Sequence, residues 1–240
     1  KAATVVTEGK VSVSRVGGIE DVLVRSGFGN VTTSGGATKA IALLPRLGSV
    51  ALELEPFDEA FMARENAIFP EWLLGHHLNL ILDETEQQLL DEMFACLTEN
   101  NLAQPQGVMH RDFHSRNLMV CGGDTPDDSQ LAVIDFQDMV IGPLSYDLVS
   151  LLKDCYVRWP DEVIEQGMGH GFDTLSQAGL LGDLDCAAFR RYADLTGMQR
   201  HLKAAGLFTR LYHRDGKSGY LKDIPRTLGY VVDVCHTYGA

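Results

Sequence analysis

The sequence predicts an α+β chain, mostly helical, with one functional β-hairpin set among its helices. Three observations predict it. Residues 1–50 are rich in Gly, Ser, Thr and Val and break into short apolar runs separated by glycine pairs. The pattern turns helical after Pro56. Within the helical part, Leu118-Met119-Val120 and Leu131-Ala132-Val133-Ile134 flank a Gly/Pro/Asp cluster over 121–129, the composition of a hairpin loop. The chain therefore divides into residues 1–55, a short N-terminal unit, and 56–240, a helical unit that carries the chemistry.

Composition narrows the function. At 240 residues the chain has room for one large domain, or one domain and a fragment. With 45% hydrophobic and 22% charged residues it is neither disordered nor collagen-like. Acidic residues number 33 against 20 basic ones, a net charge of −13. Nucleic acid and anionic membrane surfaces are excluded as partners, because both are bound by clustered Lys and Arg. No apolar run reaches the length of a membrane span. The chain begins at Lys1 without a Met, which reads as a processed chain or a fragment, and no long apolar signal core follows. Five cysteines, at 96, 121, 155, 186 and 235, show no CxxC or zinc-ligand spacing. They read as free thiols in a reducing cytoplasm.

The elements follow in order. Val11-Ser12-Val13 and Val22-Leu23-Val24 are small strands, and Thr38 to Leu47 reads as a short helix. Asp58 caps a helix carrying Phe61, Ile68 and Phe69, which Pro70 restarts. Thr85-Glu86-Gln87-Gln88 matches a capping box, and the helix it opens lines up Leu89, Met93, Cys96 and Leu97 as one buried stripe, ended by Asn100-Asn101 and Pro105. Val108-Met109-His110 is a short strand. Helices then start near Ser145, carry Phe189, Tyr192 and Leu195, and run from about Met198 to Tyr212. Asp215-Gly216 and Pro225 mark turns.

The chemistry sits in two blocks, His110-Arg111-Asp112-Phe113-His114-Ser115-Arg116-Asn117 and Ile134-Asp135-Phe136-Gln137-Asp138. The first matches H-R-D-x-x-x-x-N, the catalytic-loop pattern of phosphoryl transfer. In that pattern the Asp accepts the proton of the attacking hydroxyl and the Asn binds magnesium. Asp135-Phe136 falls where a D-F-G would, with Gln137 in place of glycine. Pairing 118–120 with 132–134 sets Asn117 opposite Asp135, with Cα atoms about 5 Å apart. Amide and carboxylate oxygens there are hard ligands of the kind magnesium takes beside nucleotide phosphates. Asp112 then faces the gap where an acceptor hydroxyl must sit. An isolated Asp or Asn at a strand end is commonly a turn or cap residue. It is the ordered set of HRD, Asn, hairpin and Asp-Phe that points to chemistry. His110 is expected to fix the loop by packing and hydrogen bonds, and Asp147 to receive hydrogen bonds from it.

From about Pro56 to Pro225 the chain resembles the aminoglycoside phosphotransferase-like kinases, which share the protein-kinase fold. It looks most like their bacterial branch of anomeric sugar kinases acting on N-acetylmuramate and N-acetylglucosamine in cell-wall recycling. The resemblance rests on Arg64-Glu65, Phe69-Pro70-Glu71-Trp72, the two blocks above, the run Gly142 to Tyr156, Gln199-Arg200-His201-Leu202-Lys203, and Arg210 to Lys217. It implies transfer of the ATP γ-phosphate to the anomeric hydroxyl of an amino sugar, with ATP and Mg2+ required. Asp112 then matches the catalytic base, and Asn117 and Asp135 the metal ligands. His114 stands where protein kinases commonly carry a lysine near the transferred phosphoryl group. A related kinase for an aminoglycoside, choline or other small alcohol is the alternative, mildly favoured by the acidic charge. A non-catalytic kinase-like remnant is the third reading.

Arg200, Lys203 and Arg210 share one helical face if the helix is continuous. They read either as capture of an anionic substrate group or as a solvated face paired with local acids. The resemblance also implies a small N-terminal lobe holding ATP. Only 55 residues precede Pro56, so that lobe is reduced or truncated. Gly27-Phe28-Gly29 has a G-x-G without a third glycine, more often a turn than a phosphate cradle. Neither Lys39, read as helical, nor Lys10 qualifies as an ATP lysine.

Overall fold

In a computed structural model, the structure describes residues 54–121 and 130–239, together with five strands before them. Those strands are β1 (Ala2–Thr7), β2 (Lys10–Arg15), β3 (Val22–Arg25), β4 (Asn30–Thr33) and β5 (Gly36–Lys39), and they pair in sequence order as an antiparallel sheet. The expected strands at 11–13 and 22–24 fall within β2 and β3. Thr38 and Lys39 close β5 and are not helical, and the remainder of the expected 38–47 helix lies outside the described residues, as do Gly27-Phe28-Gly29 and the 122–129 loop. The chain thus carries strands and helices, as the α+β expectation has it, with helices dominant after Pro56.

Helix α1 (Glu59–Asn66) begins where the Asp58 carboxylate accepts the Phe61 N–H at 2.8 Å. This is the expected cap, and it satisfies a donor the first helical turn leaves unpaired. The chain then continues as a π-helical segment, Phe69–His77, with Pro70 in its first turn. Helix α2 (Glu84–Ala103) opens two residues earlier than expected. Asp83, not Thr85, is its cap: Asp83 accepts the Glu86 N–H, and Glu86 accepts the Asp83 N–H. The earlier start accompanies a different buried face. Leu89 is 61% exposed and Cys96 is exposed, while Leu97, Asn100 and Asn101 are buried.

Those two asparagines lie inside the helix. Asn101 Oδ1 accepts from the Thr196 hydroxyl, and the Asn100 and Gln104 side-chain amides donate to Thr196 Oγ1. Ser145 Oγ joins them through Gln104 Oε1. A buried polar knot of this kind is tolerated because most of its polar atoms satisfy one another, Asn100 Oδ1 being left without a partner among the described residues.

β6 (Gln106–Met109) pairs with β9 (Val140–Pro143), and residues 55–57 run beside β9, the Phe57 N–H donating to the Ile141 carbonyl at 2.7 Å. β7 (Leu118–Cys121) pairs with β8 (Gln130–Val133) as the expected hairpin, and β2 and β3 approach β8. Helices α3 (Ser145–Leu152), α4 (Asp161–Gln177), α5 (Cys186–Asp215) and α6 (Ile224–Tyr238) complete the described chain. The two helices expected around 189–195 and 198–212 are one continuous helix of 30 residues. Nothing between them breaks it, since Gly197 costs only about 1 kcal/mol there. Gly216, at φ +68, ends α5, and Pro225 opens α6 instead of marking a turn.

α5 organises the core. Its Phe189 and Ala193 pack with Leu148, Val149 and Met168, while Ala205 and Phe208 pack with Leu73 and Ile224. At Gly206 a Cβ would come within 2.5 Å of the Ile68 carbonyl oxygen, so only glycine lets the π-helical segment lie so close.

Candidate active site

The catalytic-loop block leaves β6 and is pinned from below by α3. Asp147 accepts the backbone N–H groups of His110 at 2.6 Å and Arg111 at 3.0 Å, the role expected of it. The His110 ring reaches the Ile134 carbonyl at 3.0 Å and so ties the loop to the end of β8. His110 is therefore a bracing residue, as expected.

Asn117 closes a single turn of 3-10 helix, Ser115–Asn117. Its Nδ2 donates to the Asp112 carbonyl at 2.9 Å, and the His114 N–H donates to that same oxygen at 3.0 Å. Asp112, His114 and Asn117 thus form one hydrogen-bonded loop. With the side-chain amide nitrogen engaged, the side-chain oxygen Oδ1 of Asn117 is left as a hard donor.

The hairpin register differs from expectation by one residue. Leu118 pairs with Val133, and the Ile134 N–H donates to the Asn117 carbonyl at 3.0 Å, so Asn117 lies opposite Ile134 and not Asp135. Hairpin register is set by the connecting loop as much as by the apolar runs, and both runs tolerate a one-step slip. Asp135 then turns the chain at φ +67, a conformation costly for a non-glycine residue. The turn redirects its carboxylate, whose Oδ1 accepts from Gln137 Nε2 at 2.6 Å. Arg111, at φ +74, is the other positive-φ residue of these two blocks.

His114 is half-buried, its ring edge-on to Tyr156 at 5.1 Å. Burial, helped by the nearby Arg200 cation, holds its pKa below the ordinary histidine value. At neutral pH the ring is uncharged, and its Nδ1 is buried without a hydrogen-bond partner.

The basic residues of α5 separate. Arg200 is buried, 5% exposed, and donates to Cys155 Sγ at 3.4 Å. Burial opposes its charge, but Cys155, Tyr146 and Asp112 more than offset that and raise its pKa. Lys203 Nζ lies 2.7 Å from Glu65 Oε1. Neither residue lies on a solvated face, since the long helix turns both into the protein, but the expected pairing with an acid holds for Lys203 through Glu65. Arg210, half-buried, lies two turns farther along α5, with Asp215 within its electrostatic reach. Among the described residues no hydrogen bond or ion pair joins it to the loop, and its Nε is buried without a partner.

Sequence reasoning missed Glu65 as part of this assembly. Its Oε1 accepts from both Arg111 at 2.6 Å and Lys203 at 2.7 Å. Burial disfavours charge on Glu65, yet Lys203 and Arg111 outweigh it and hold the carboxyl below the ordinary range. Its signal was present only in the family string Arg64-Glu65, because on a short helix a glutamate reads as solvated. Asp154 was missed likewise. Fully buried, it accepts the Ser115 N–H at 2.8 Å and the Tyr156 N–H at 2.7 Å.

The arrangement offers the Asp112 carboxylate, an amide oxygen of Asn117 on the same hydrogen-bonded loop, a second carboxylate, Asp135, just past the end of β8, and the buried cations Arg200 and Lys203 within electrostatic reach of Asp112, the kinds of group phosphoryl transfer uses. Comparison with known proteins agrees. Residues 32–181 match the phosphotransferase enzyme family, APH, and the chain belongs to it. That membership implies a protein-kinase-like fold. The chain is 40% identical over 181 residues to an N-acetylmuramate/N-acetylglucosamine kinase of Pseudomonas putida, covering 75% of this chain and 52% of the relative. Proteins of the same name from Neisseria meningitidis and Pseudomonas aeruginosa are 39% and 37% identical, over 83% and 76% of this chain and 59% and 52% of theirs. The chain thus spans between half and three-fifths of the length of these curated relatives. No helix of the described residues is long and apolar enough to cross a membrane.

Proposed function

We propose that this chain carries the catalytic part of an ATP-dependent kinase that phosphorylates the anomeric hydroxyl of an amino sugar, N-acetylmuramate or N-acetylglucosamine, in the cytoplasm. The observation that carries the reading is the Asn117–Asp112 hydrogen bond, which joins the expected base and an expected metal ligand in one hydrogen-bonded loop. Identity of 37–40% to kinases of that name supports the acceptor class.

Asp112 accepts the proton of the acceptor hydroxyl. A hemiacetal hydroxyl is more acidic than an ordinary alcohol, so a carboxylate suffices as base. The Asn117 side-chain Oδ1 and the Asp135 carboxylate are oxygen donors with capacity left after the Asn117 Nδ2 bond to Asp112 and the Gln137 bond to Asp135, a set that fits magnesium. When bound, magnesium supplies charge neutralisation to the nucleotide phosphates. Neutral His114 offers a ring nitrogen toward the transferred group, and Arg200 and Lys203 keep positive charge behind Asp112. Arg210 carries no part in this reading. Residues 1–55 serve as the small lobe and 56–240 as the catalytic lobe.

The test is transfer of labelled γ-phosphate from ATP, with magnesium, to N-acetylmuramate, N-acetylglucosamine, an aminoglycoside and choline, with the phosphorylated position mapped by NMR. Sugar 1-phosphate is the expected product. Phosphate on a non-anomeric hydroxyl, or on choline, moves the assignment to the other small-molecule kinases. No transfer, with no thermal stabilisation by magnesium-ATP, marks a non-catalytic remnant.

A further inference from the structure

Arg116 lies within the catalytic loop, between His114 and Asn117, and has no role in the chemistry above. Its guanidinium carbon sits 3.6 Å from the centroid of the Tyr156 ring and 5.7 Å from that of Tyr220. Its side chain is 48% exposed. Among the described residues it makes no hydrogen bond, and its one ion-pair partner, Asp223, lies at 4.0 Å. Arg226 engages Asp223 through Oδ1 at 3.0 Å, while the Oδ2 that faces Arg116 has no hydrogen-bond partner among the described residues, so Arg116 and Asp223 face each other at ion-pair distance without a hydrogen bond.

The other cations around the loop are committed. Arg111 and Lys203 share Glu65, and Arg200 is buried against Cys155. Arg116 is the cation of this loop that keeps its donors open. It also lies on an anchored platform. Buried Asp154 accepts the N–H of Ser115, at the start of the Arg116 turn, and the N–H of Tyr156, which carries the ring under the guanidinium. One carboxylate thus anchors the backbone next to Arg116 and the backbone that carries its aromatic platform. A planar guanidinium stacked on a ring presents its N–H fork at the edge, which suits a carboxylate. Fixing it beforehand lowers the ordering cost of binding.

Its direction matters as well. Asn117 and Asp135, the expected ligands on the nucleotide side, sit at the mouth of the β7–β8 hairpin. Arg116 instead contacts Tyr156, Tyr220 and Asp223, all from the helical part that packs against α5.

We propose that Arg116, stacked on Tyr156, is a specificity-determining residue that pairs with a carboxylate on the acceptor, so that an acidic amino sugar is preferred over its neutral counterpart. This rests on the reading of the chain as an amino-sugar kinase. N-acetylmuramate, which carries a lactyl ether carboxylate, and N-acetylglucosamine, which lacks it, are the matched probes.

The experiment measures kcat/KM for both sugars in the wild-type chain, Arg116→Met and Arg116→Lys. Met keeps the stem against Tyr156 and removes the charge, while Lys keeps the charge and loses the fork. The expected result is a fall of at least about tenfold in the ratio of N-acetylmuramate to N-acetylglucosamine for Arg116→Met, carried by KM of the acidic sugar, with KM for ATP held within twofold. Lys retains part of the ratio. In the wild type, added salt lowers the ratio, and in Arg116→Met it does not. An unchanged ratio, whether both rates fall together or neither does, overturns the assignment. Should the wild type phosphorylate neither sugar, the functional reading fails on its own. Binding of the two sugars by ligand-observed NMR then decides Arg116 separately: acidic-sugar binding that drops in Arg116→Met supports it, and equal binding overturns it.

Discussion

The Nδ2 of Asn117 donates to the backbone carbonyl of Asp112 at 2.9 Å. This bond makes the proposed metal ligand also the brace of the proposed base. Asn117→Ala removes both functions, and Asn117→Asp keeps an oxygen ligand but loses the donor. Ala is expected to raise the magnesium concentration needed for half-maximal transfer at least tenfold and to cut kcat as well. Asp is expected to cut kcat with a smaller change in magnesium dependence. A magnesium titration of both variants checks this, and identical titration curves for Ala and wild type would remove Asn117 from the metal site.

Asp112→Asn keeps the shape of the loop, because the backbone carbonyl that Asn117 and His114 share is untouched. Removal of a positioned base typically costs about 10²–10⁴-fold in turnover. That loss is expected here, with thermal stabilisation by magnesium-ATP preserved. Steady-state kinetics and a thermal-shift titration read the two quantities apart.

Glu65 stands between two cations. Substituting Gln keeps the shape but leaves Arg111 and Lys203 close together with no anion between them. Breaking a buried ion pair from one side costs about 3–5 kcal/mol. Glu65→Gln is expected to lose stability of that order in urea unfolding. Adding Lys203→Met, which removes one orphaned cation, is expected to restore part of it. If the double variant is less stable than the single one, the two cations do not depend on Glu65 as described.

Legibility in the sequence followed the range of the interactions involved. The Asp58 cap, the helix from Ser145 and the hairpin's two runs depend on short spacings and were readable, while the bracing role of His110, made through Ile134 and Asp147 24 and 37 residues away, was readable only from the motif it sits in. The start of α2 was not. Asp83 and Thr85 both precede a suitable partner at three residues' distance, and only the folded chain shows that Asp83 takes the bond. The buried face of α2 was misplaced for a related reason. Its Asn100 and Asn101 are buried because Thr196, 95 or 96 residues later, satisfies them, and no local pattern announces that. The site was legible as a motif but not as an assembly. Asp112, His114 and Asn117 lie within six residues, whereas Glu65, Asp154 and Arg200 reach the loop from three separate segments. The hairpin register depends on the connecting loop, and two apolar runs permit either pairing.

The α2 start gives a direct contrast. Asp83→Ala removes the capping box and is expected to cost about 1 kcal/mol, whereas Thr85→Ala, inside the helix, stays within about 0.5 kcal/mol. Chemical denaturation of the two variants compares them. Equal losses would contradict Asp83 as the cap.

His201 links the fold to pH. It is fully buried, its Nε2 donates to the Lys153 carbonyl at 2.7 Å, and its ring stacks on Tyr230 with centroids 4.8 Å apart. Burial, together with the Arg200 and Lys153 cations, lowers its pKa to about 3. In the unfolded chain the ordinary histidine value, 6.5, applies. Between these values the unfolded state holds a proton that the folded state does not. The neutral ring's contribution is therefore intact above pH 6.5 and is lost as pH falls toward 3. The slope for one such proton is about 1.4 kcal/mol per pH unit. His201→Gln retains an N–H donor and does not titrate. Its unfolding free energy, measured from pH 7 to pH 4.5, is expected to fall less steeply than that of the wild type by about one proton's worth. It is also expected to be lower at pH 7, because the stack on Tyr230 is lost. Parallel slopes for the two proteins would show that His201 is not the group whose protonation drives acid unfolding in this range.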